Sequence, residues 1–493
     1  MRALFSTFHP DVGVPLAQIL EEKGWEIIVT ANCVPHFQDH GISVKEVGDY
    51  LGVTDKFPFP PTLHPQMELA LTTDSVETDR IDLVFDETYG LDQGIDVGGH
   101  TLLALALKGN RYVMWDEETA NYYFEAVKKD HDLEPIRQST SVRGWRKLSE
   151  FYSEVSTQHC KTIPLANGEN PYQVPATLVE ANRPPDLSIS SMDCHSDSIG
   201  CFTNVADLDC DLNLLIALSK SYQQTFDNVP YIAIGSKHGN ACGLGVSWSD
   251  EDEALSLALW GDPLSIWGGE LVTNFAFSHR LATNAIESRE RGRLFGSPWW
   301  MLDVVAAPSY SIDALTRFQK RKIRRIFSDK NLFCPQEANL ENIQRSIRGG
   351  VLKQPPHDFI LTLRESTLCN AVKCDLLIAW AVAFWSFHGG NEVTLVKGGQ
   401  LLGVGGGPST VVAAETSVQR GSKLERWTLA GSSFGADAFF PFTDGPELLA
   451  NAGCQTGVVP GGGKNHNLVK EYFESKGVDC LFLNEDIRGF IRH

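Results

Sequence analysis

Nine consecutive residues, Leu376-Leu377-Ile378-Ala379-Trp380-Ala381-Val382-Ala383-Phe384, are apolar whichever way a helix turns them. Such a helix has no face to give to water and must be packed on all sides. Even extended from Leu376 to Phe387, the stretch is well short of the ~20 residues a bilayer crossing needs, so it reads as a helix of the protein interior. Asp375 stands where it can cap the first turn, and Gly389-Gly390 where the helix must stop. Asn391 follows. Two strand-like runs come next, Glu392-Val393-Thr394-Leu395-Val396-Lys397 and Gln400-Leu401-Leu402, joined by Gly398-Gly399, a two-residue hairpin signal. Asn391 is thereby held between a buried helix and a hairpin.

At 493 residues the chain exceeds what one core usually supports, and two or three domains are the default. The N-terminal part alternates short apolar runs with amphipathic stretches: Ala3-Leu4-Phe5, a helix from Pro15 to Lys23 ended by Gly24, then Glu26-Ile27-Ile28-Val29. Ile81-Asp82-Leu83-Val84-Phe85 and Tyr112-Val113-Met114 are further strands, and a helix around Thr101 to Leu107 between them implies parallel crossovers in a small three-layer domain. A Pro-, Asn- and Gly-rich texture, as in Asn167-Gly168-Glu169-Asn170-Pro171, sets the domain boundary near Gln158. Beyond it the patterning predicts a helix from about Asp211 to Gln224, a strand at Tyr231 to Ile234 and a long α/β remainder.

Apolar residues at 42% and charged residues at 21% exclude a disordered chain. The net charge of −20, relieved by no basic run longer than Lys320-Arg321-Lys322, argues against nucleic acid, although a local basic pocket can still hold a small anion. No export signal precedes the first strand, and eleven scattered cysteines without a C-x-x-C pair fit reduced thiols of a cytoplasmic protein. They offer no zinc-ligand spacing. The glycine-rich Gly457 to Asn465 segment lacks the spacing of a phosphate loop.

The segment Ser236-Lys237-His238-Gly239-Asn240-Ala241-Cys242-Gly243 follows a buried strand, so its polar groups emerge at a strand end. A histidine can move a proton near neutral pH, and a neighbouring ammonium stabilises developing negative charge. By itself a Lys-His pair is also common as plain solvated surface.

Lys237-His238-x-Asn240-x-Cys242-Gly243 resembles the K-H-x-N-P-C-G signature of the AICAR transformylase/IMP cyclohydrolase family, with Ala241 in place of proline. Gly168-Glu169-Asn170-Pro171-Tyr172-Gln173 is similar to its G-E-N-P-H-Q, and Gly261-Asp262-Pro263-Leu264-Ser265-Ile266-Trp267-Gly268-Gly269 to its G-D-P-x-S-A-F-G-G. Ala307-Pro308-Ser309-Tyr310, Arg348-Gly349-Gly350, Asp437-Ala438-Phe439-Phe440-Pro441-Phe442 and Arg488-Gly489-Phe490 resemble further landmarks. The resemblance implies an α/β architecture: a methylglyoxal-synthase-like three-layer domain over 1–157, then a two-lobed cytidine-deaminase-like transformylase region over 158–493. It also implies a homodimer and 10-formyltetrahydrofolate as co-substrate, without a metal. Carried over residue by residue, His238 is the proton shuttle, Lys237 its electrostatic partner and Asn391 the group that positions acceptor and formyl. Asn240, Phe440, Asp444, Arg488, Phe490 and Lys320 fall on the acceptor side, Asp262 and Gly268 on the folate side. Read without the family, Asn391 is equally a helix terminator, Asp262 a turn residue, and Phe440 and Phe490 core.

The departures are as informative. The family's L-R-Y-G-E-N-P reads Leu165-Ala166-Asn167-Gly168-Glu169-Asn170-Pro171 here, and the arginine of its G-x-G-Q-x-S-R falls on Val411. Two such charge-assisted contacts contribute on the order of 1.5 to 3 kcal/mol each, so the acceptor is expected to differ. Phe8-His9-Pro10-Asp11-Val12 stands in place of the S-D-K-T-G phosphate loop, and Val29-Thr30-Ala31-Asn32-Cys33 in place of S-T-G-G-T. Pro61-Thr62-Leu63-His64-Pro65 lacks the lysine of K-T-L-H-P, although Tyr89, Asp96 and Lys108 align with cyclohydrolase positions. The reading is therefore a formyltransferase acting on an amine of a small acceptor, without cyclohydrolase activity. Its rivals are an ordinary AICAR transformylase and a silent homologue used for binding.

Overall fold

The computed structural model describes residues 1–53, 61–74, 79–91, 94–181, 184, 186–335, 343–423 and 428–491, without the side chains of 157–159. The chain divides into two compact units, 1–160 and 161–493. In the first, β1 (Arg2–Ser6), β2 (Glu26–Val29), β3 (Val44–Glu46), β4 (Leu83–Asp86) and β5 (Tyr112–Met114) form one sheet in the order β3-β2-β1-β4-β5. Every pair is parallel, as the interleaved helices require. Leu4, Ile28, Val84 and Phe85 are buried within it.

The first helix spans Pro10–Glu22 and so begins five residues before the expected start at Pro15. Pro10 occupies the first turn, where a missing N–H costs nothing, and Pro15 lies inside the helix. The helix expected at Thr101 covers Val97–Lys108, because Asp96 caps it by accepting from the Gly99 N–H at 2.7 Å. A third, Glu134–His159, carries the chain to the end of the unit.

The second unit is built on β8 (Asp193–Cys194), β9 (Tyr231–Lys237), β10 (Asn240–Ser247), β11 (Glu270–Thr273), β12 (Val304–Ala307), β13 (Arg325–Ser328), β16 (Asn391–Lys397), β17 (Gln400–Gly407), β18 (Ser433–Ala436), β19 (Thr456–Pro460) and β20 (Asp479–Leu483). Their order is β20-β19-β18-β16-β17-β10-β9-β11-β12-β13-β8. Two lobes are legible in it. Each runs helix, hairpin, helix, then three parallel strands: Phe202–Phe226 precedes β9–β10 in one, Asn370–Trp385 precedes β16–β17 in the other, and β10 and β17 join them. Two small hairpins, β6 (Thr162–Leu165) with β7 (Ala176–Val179) and β14 (Ile343–Ile347) with β15 (Gly350–Gln354), stand apart from the main sheet. No helix among the described residues is long and apolar enough to cross a membrane.

The apolar helix is the centre of the largest core: Leu376 through Phe384 are each at most 1% exposed and pack with Leu212, Leu215 and Ile234 of the other lobe. It starts at Asn370, not at Leu376, and Cys369 is its N-cap. Asp375 therefore does not cap it. From mid-helix its carboxylate accepts from the N–H groups of Gly398 (2.9 Å) and Gly399 (2.8 Å), pinning the tip of the β16–β17 hairpin.

Close packing of helix on sheet depends on bare backbone in both central strands. A Cβ at Gly243 would lie 1.9 Å from Ala258 O, and one at Gly405 2.2 Å from Ala413 O. Only glycine lets the helices Glu251–Leu259 and Thr410–Gly421 sit so low.

Candidate active site

β9 ends at Lys237 and β10 resumes at Asn240, its ladder partner, so His238 and Gly239 form a two-residue turn with φ of +57° and +68°. Both angles are positive, as in the turns whose twist matches a hairpin. For histidine this conformation costs of order 1 kcal/mol, and the ring is left exposed at the tip. Asn240 holds the turn from inside, its Nδ2 donating to Lys237 O (3.1 Å) and His238 O (2.8 Å).

Lys237 turns the other way. Its Nζ donates to Trp267 O at 2.5 Å, and Gly268, at φ +75°, faces it: a Cβ there would stand 3.7 Å from both Lys237 Nζ and Asp303 Oδ2. Behind the lysine lie buried acids. Glu270 is pushed up to about 10 by burial and then by Asp207, Asp211 and Asp303, and Asp211, also raised by burial, accepts from Ser236 Oγ at 2.6 Å. Glu270 is thus uncharged at neutral pH and does not pair off the Lys237 ammonium.

A cavity of about 430 Å³ opens beside the turn, lined by Lys237, His238, Asn240 and Cys242 and, from the other lobe, by His388 and Arg420. Burial, and then the Asp262 charge, push the Cys242 thiol up, so it is no nucleophile. His388 is pushed down to about 3 by burial and then by Arg420, and is neutral. Its Nε2 meets Ser386 Oγ at 2.9 Å, and that oxygen accepts from Ala241 N–H at 2.9 Å, tying the far lobe to β10. On the other side Gly239 borders a second cavity of about 470 Å³, with Trp385, Phe387, His357 and Phe490 in its wall. The turn therefore divides a basic cavity from an aromatic one.

Asn391 opens β16 on the same edge of the sheet, its Nδ2 donating to Gly407 O at 3.1 Å. The basic cavity reaches His388, three residues earlier, and not Asn391 itself. The loop between them is anchored by Glu392, whose Oε1 accepts from His388 N–H (2.8 Å) and Gly390 N–H (3.2 Å) and whose own N–H donates to Asp437 Oδ1 (2.8 Å). Burial, followed by Glu392, pushes Asp437 up to about 9.

The remaining sequence-derived residues are dispersed. Asp262 organises its own turn, accepting from Leu264 N–H, Ser265 N–H and Ser265 Oγ. Phe440 is 2% exposed and packs edge-on against Phe473, a core position rather than a pocket wall. Asp444 is exposed at the start of the helix Asp444–Asn451, Lys320 is exposed at the end of Ile312–Gln319, and the Arg488 guanidinium lies 4.9 Å over the Phe439 ring. Lys237, His238 and Asn240 converge, and Phe490 reaches the same turn from its far side. His388 and Arg420 escaped sequence reading. Neither stands in a motif that the sequence singled out.

Fold and site together define a duplicated α/β protein with a Lys-His pair at a hairpin tip that borders two cavities. Residues 115–420 match the family model described as AICARFT/IMPCHase bienzyme. That is more than half of the chain, and the chain belongs to this family. The bifunctional purine biosynthesis protein PurH of Aquifex aeolicus is 27% identical over 544 residues, spanning 98% of each chain, and that of Lactococcus lactis subsp. cremoris is 26% identical over 547, again 98% of each. The crystal structure of ForH is 22% identical, covering 32% of this chain and 97% of that one, with a TM-score of 0.28.

Proposed function

We propose that the chain transfers the formyl group of 10-formyltetrahydrofolate to an amine of a small acceptor. Attack of the amine on the formyl carbon forms a new C–N bond and an oxyanion. Collapse breaks the bond from that carbon to the folate nitrogen. The chemistry needs one proton taken from the acceptor nitrogen, negative charge held on oxygen, and one proton given to the departing nitrogen. His238 performs both proton movements. Lys237, with its acidic neighbour Glu270 uncharged, supplies the positive charge, and the family resemblance assigns Asn391, on the same sheet edge outside the cavity wall, to positioning the reacting groups. The observation carrying this reading is the display of His238, at positive φ and flanked by Lys237, in the wall of the basic cavity, on a turn whose other residue, Gly239, borders the aromatic one.

Two arginine positions of the family, occupied here by Ala166 and Val411, support an acceptor other than AICAR. In the N-terminal unit Pro10 removes an amide from the start of the first helix, and Glu87 Oε2 already accepts from His9 N–H (3.0 Å) and Thr7 Oγ1 (2.6 Å). A resident carboxylate where the family binds phosphate supports the absence of cyclohydrolase activity. We also propose a homodimer, which light scattering at twice the 54.4 kDa of one chain would bear out.

The test is formyl transfer from 10-formyltetrahydrofolate to a panel of amines, AICAR among them, read by mass spectrometry. His238→Ala should lower turnover by about 10²- to 10⁴-fold, and undiminished transfer would refute the assignment. AICAR turnover at the rate of a purine-biosynthetic enzyme would refute the changed acceptor.

A further inference from the structure

The mechanism leaves one cation of the basic cavity without a task. Arg420 lies in the last turn of the helix Thr410–Gly421. That helix sits against β17 because Gly403 and Gly405 carry no Cβ; one at Gly403 would stand 2.4 Å from Ser417 O. The low seat lets the guanidinium reach across the strand, where Nη1 donates to Val404 O at 3.0 Å. Among the described residues this is its one hydrogen bond, and it enters no ion pair there. Asp262 shares a smaller cavity of about 20 Å³ with it, but the Asp262 oxygens are held by Leu264 and Ser265.

We propose that the cavity beside His238 is an oxyanion site in which Arg420 receives a phosphate or carboxylate carried by the acceptor. In a chain with 62 acidic residues against 42 basic ones, this cavity is lined by Lys237, Arg420 and two histidines and, among the described residues, by no carboxylate. Its charge selects an anion. A guanidinium with a free fork binds such groups through paired N–H bonds, and neutral His388 adds a polar wall without another charge. At about 430 Å³ the space is that of a small-ligand site, so an oxyanion seated on Arg420 leaves room for the rest of the acceptor on the His238 side. Naming the acceptor as the carrier rests on the formyl-transfer reading; the oxyanion site itself does not.

Calorimetric titration of the full chain with inorganic phosphate and, separately, with glutarate tests the site without turnover. The unsubstituted protein is expected to bind at least one of them, which tells phosphate from carboxylate. Arg420→Gln should weaken that binding roughly tenfold to a hundredfold, and Arg420→Lys, keeping charge but not the fork, should fall between. Matching thermal unfolding of the variants excludes a folding defect. Binding of neither anion, or equal binding by Arg420→Gln, overturns the proposal. In the transfer assay Arg420→Gln should raise KM for anionic amines several-fold more than for neutral ones, and more than it lowers kcat. If phosphate binding weakens in the variant while no amine is formylated, the oxyanion site stands and formyl transfer falls. If amines are formylated with KM indifferent to Arg420 and to acceptor charge, transfer stands and the oxyanion site falls.

Discussion

Beneath the loop that carries His388 and Asn391, two buried carboxyls, Glu392 and Asp437, share a site with room for one negative charge. Asp437 is raised from its ordinary 3.8 to about 9, chiefly by burial and then by Glu392, and Glu392 is raised by burial as well. A raised acid binds its proton more tightly folded than unfolded. Its contribution to stability is complete below 3.8 and is lost as pH climbs through about 9. Asp437→Asn removes the titration while keeping an acceptor for the Glu392 N–H. Across that interval its stability should lose its steepest alkaline decline, at most about 1.4 kcal/mol per pH unit for one proton. Urea unfolding of both proteins from pH 5 to pH 9 measures the difference, and parallel curves would show that the pair does not hold that proton. None of this was legible in sequence: Glu392 read as a strand residue and Asp437 as a family landmark, and only their meeting across β16 and β18 gives them one proton to share.

Among the elements, both lobes display a hairpin whose tip needs two positive φ angles, and they satisfy it differently. Gly398 and Gly399 take φ of +60° and +76° at no steric cost, whereas the other tip places His238 at +57° and uses Asn240 to hold it. The glycine pair announced its hairpin in sequence. The histidine disguised the second, so the strand at Tyr231 was read as ending at Ile234 rather than Lys237. Asp375 was misassigned for a related reason, since an acid ahead of an apolar run looks like a cap when the hairpin it reaches is 23 residues away. Its role carries a prediction. Asp375→Ala leaves the buried Gly399 amide without its acceptor and should cost about 1 to 3 kcal/mol. Asp375→Asn, which keeps an acceptor oxygen, should cost less. Denaturant unfolding that ranks both variants with the unsubstituted protein would show that the hairpin tip does not depend on this carboxylate.

For the whole molecule, α/β patterning and the buried helix were enough to read layered α/β architecture, because buried strands and an all-apolar helix have few other ways to satisfy their surfaces; the two lobes came only with the family resemblance. The duplication was invisible, since the lobes share element order rather than a residue pattern. Chemistry at the start of the chain follows the same logic of local substitution within a retained fold. The N-terminal unit keeps a parallel sheet and its crossover helices, and Asp96 still caps a helix. Yet the first helix opens on Pro10, and Glu87, held low by hydrogen bonds from Thr7 and His9 that outweigh its partial burial, supplies a negative charge against the segment that aligns with the family's phosphate loop. Bringing a phosphate against that carboxylate costs electrostatic energy that a missing lysine and missing loop amides do nothing to offset. The chain given formylated AICAR nucleotide should therefore form no inosinate above the uncatalysed rate, followed by absorbance or chromatography, even under conditions where it formylates amines. Ring closure sensitive to substitutions at Glu87 would show instead that the carboxylate has been taken into the reaction rather than set against it.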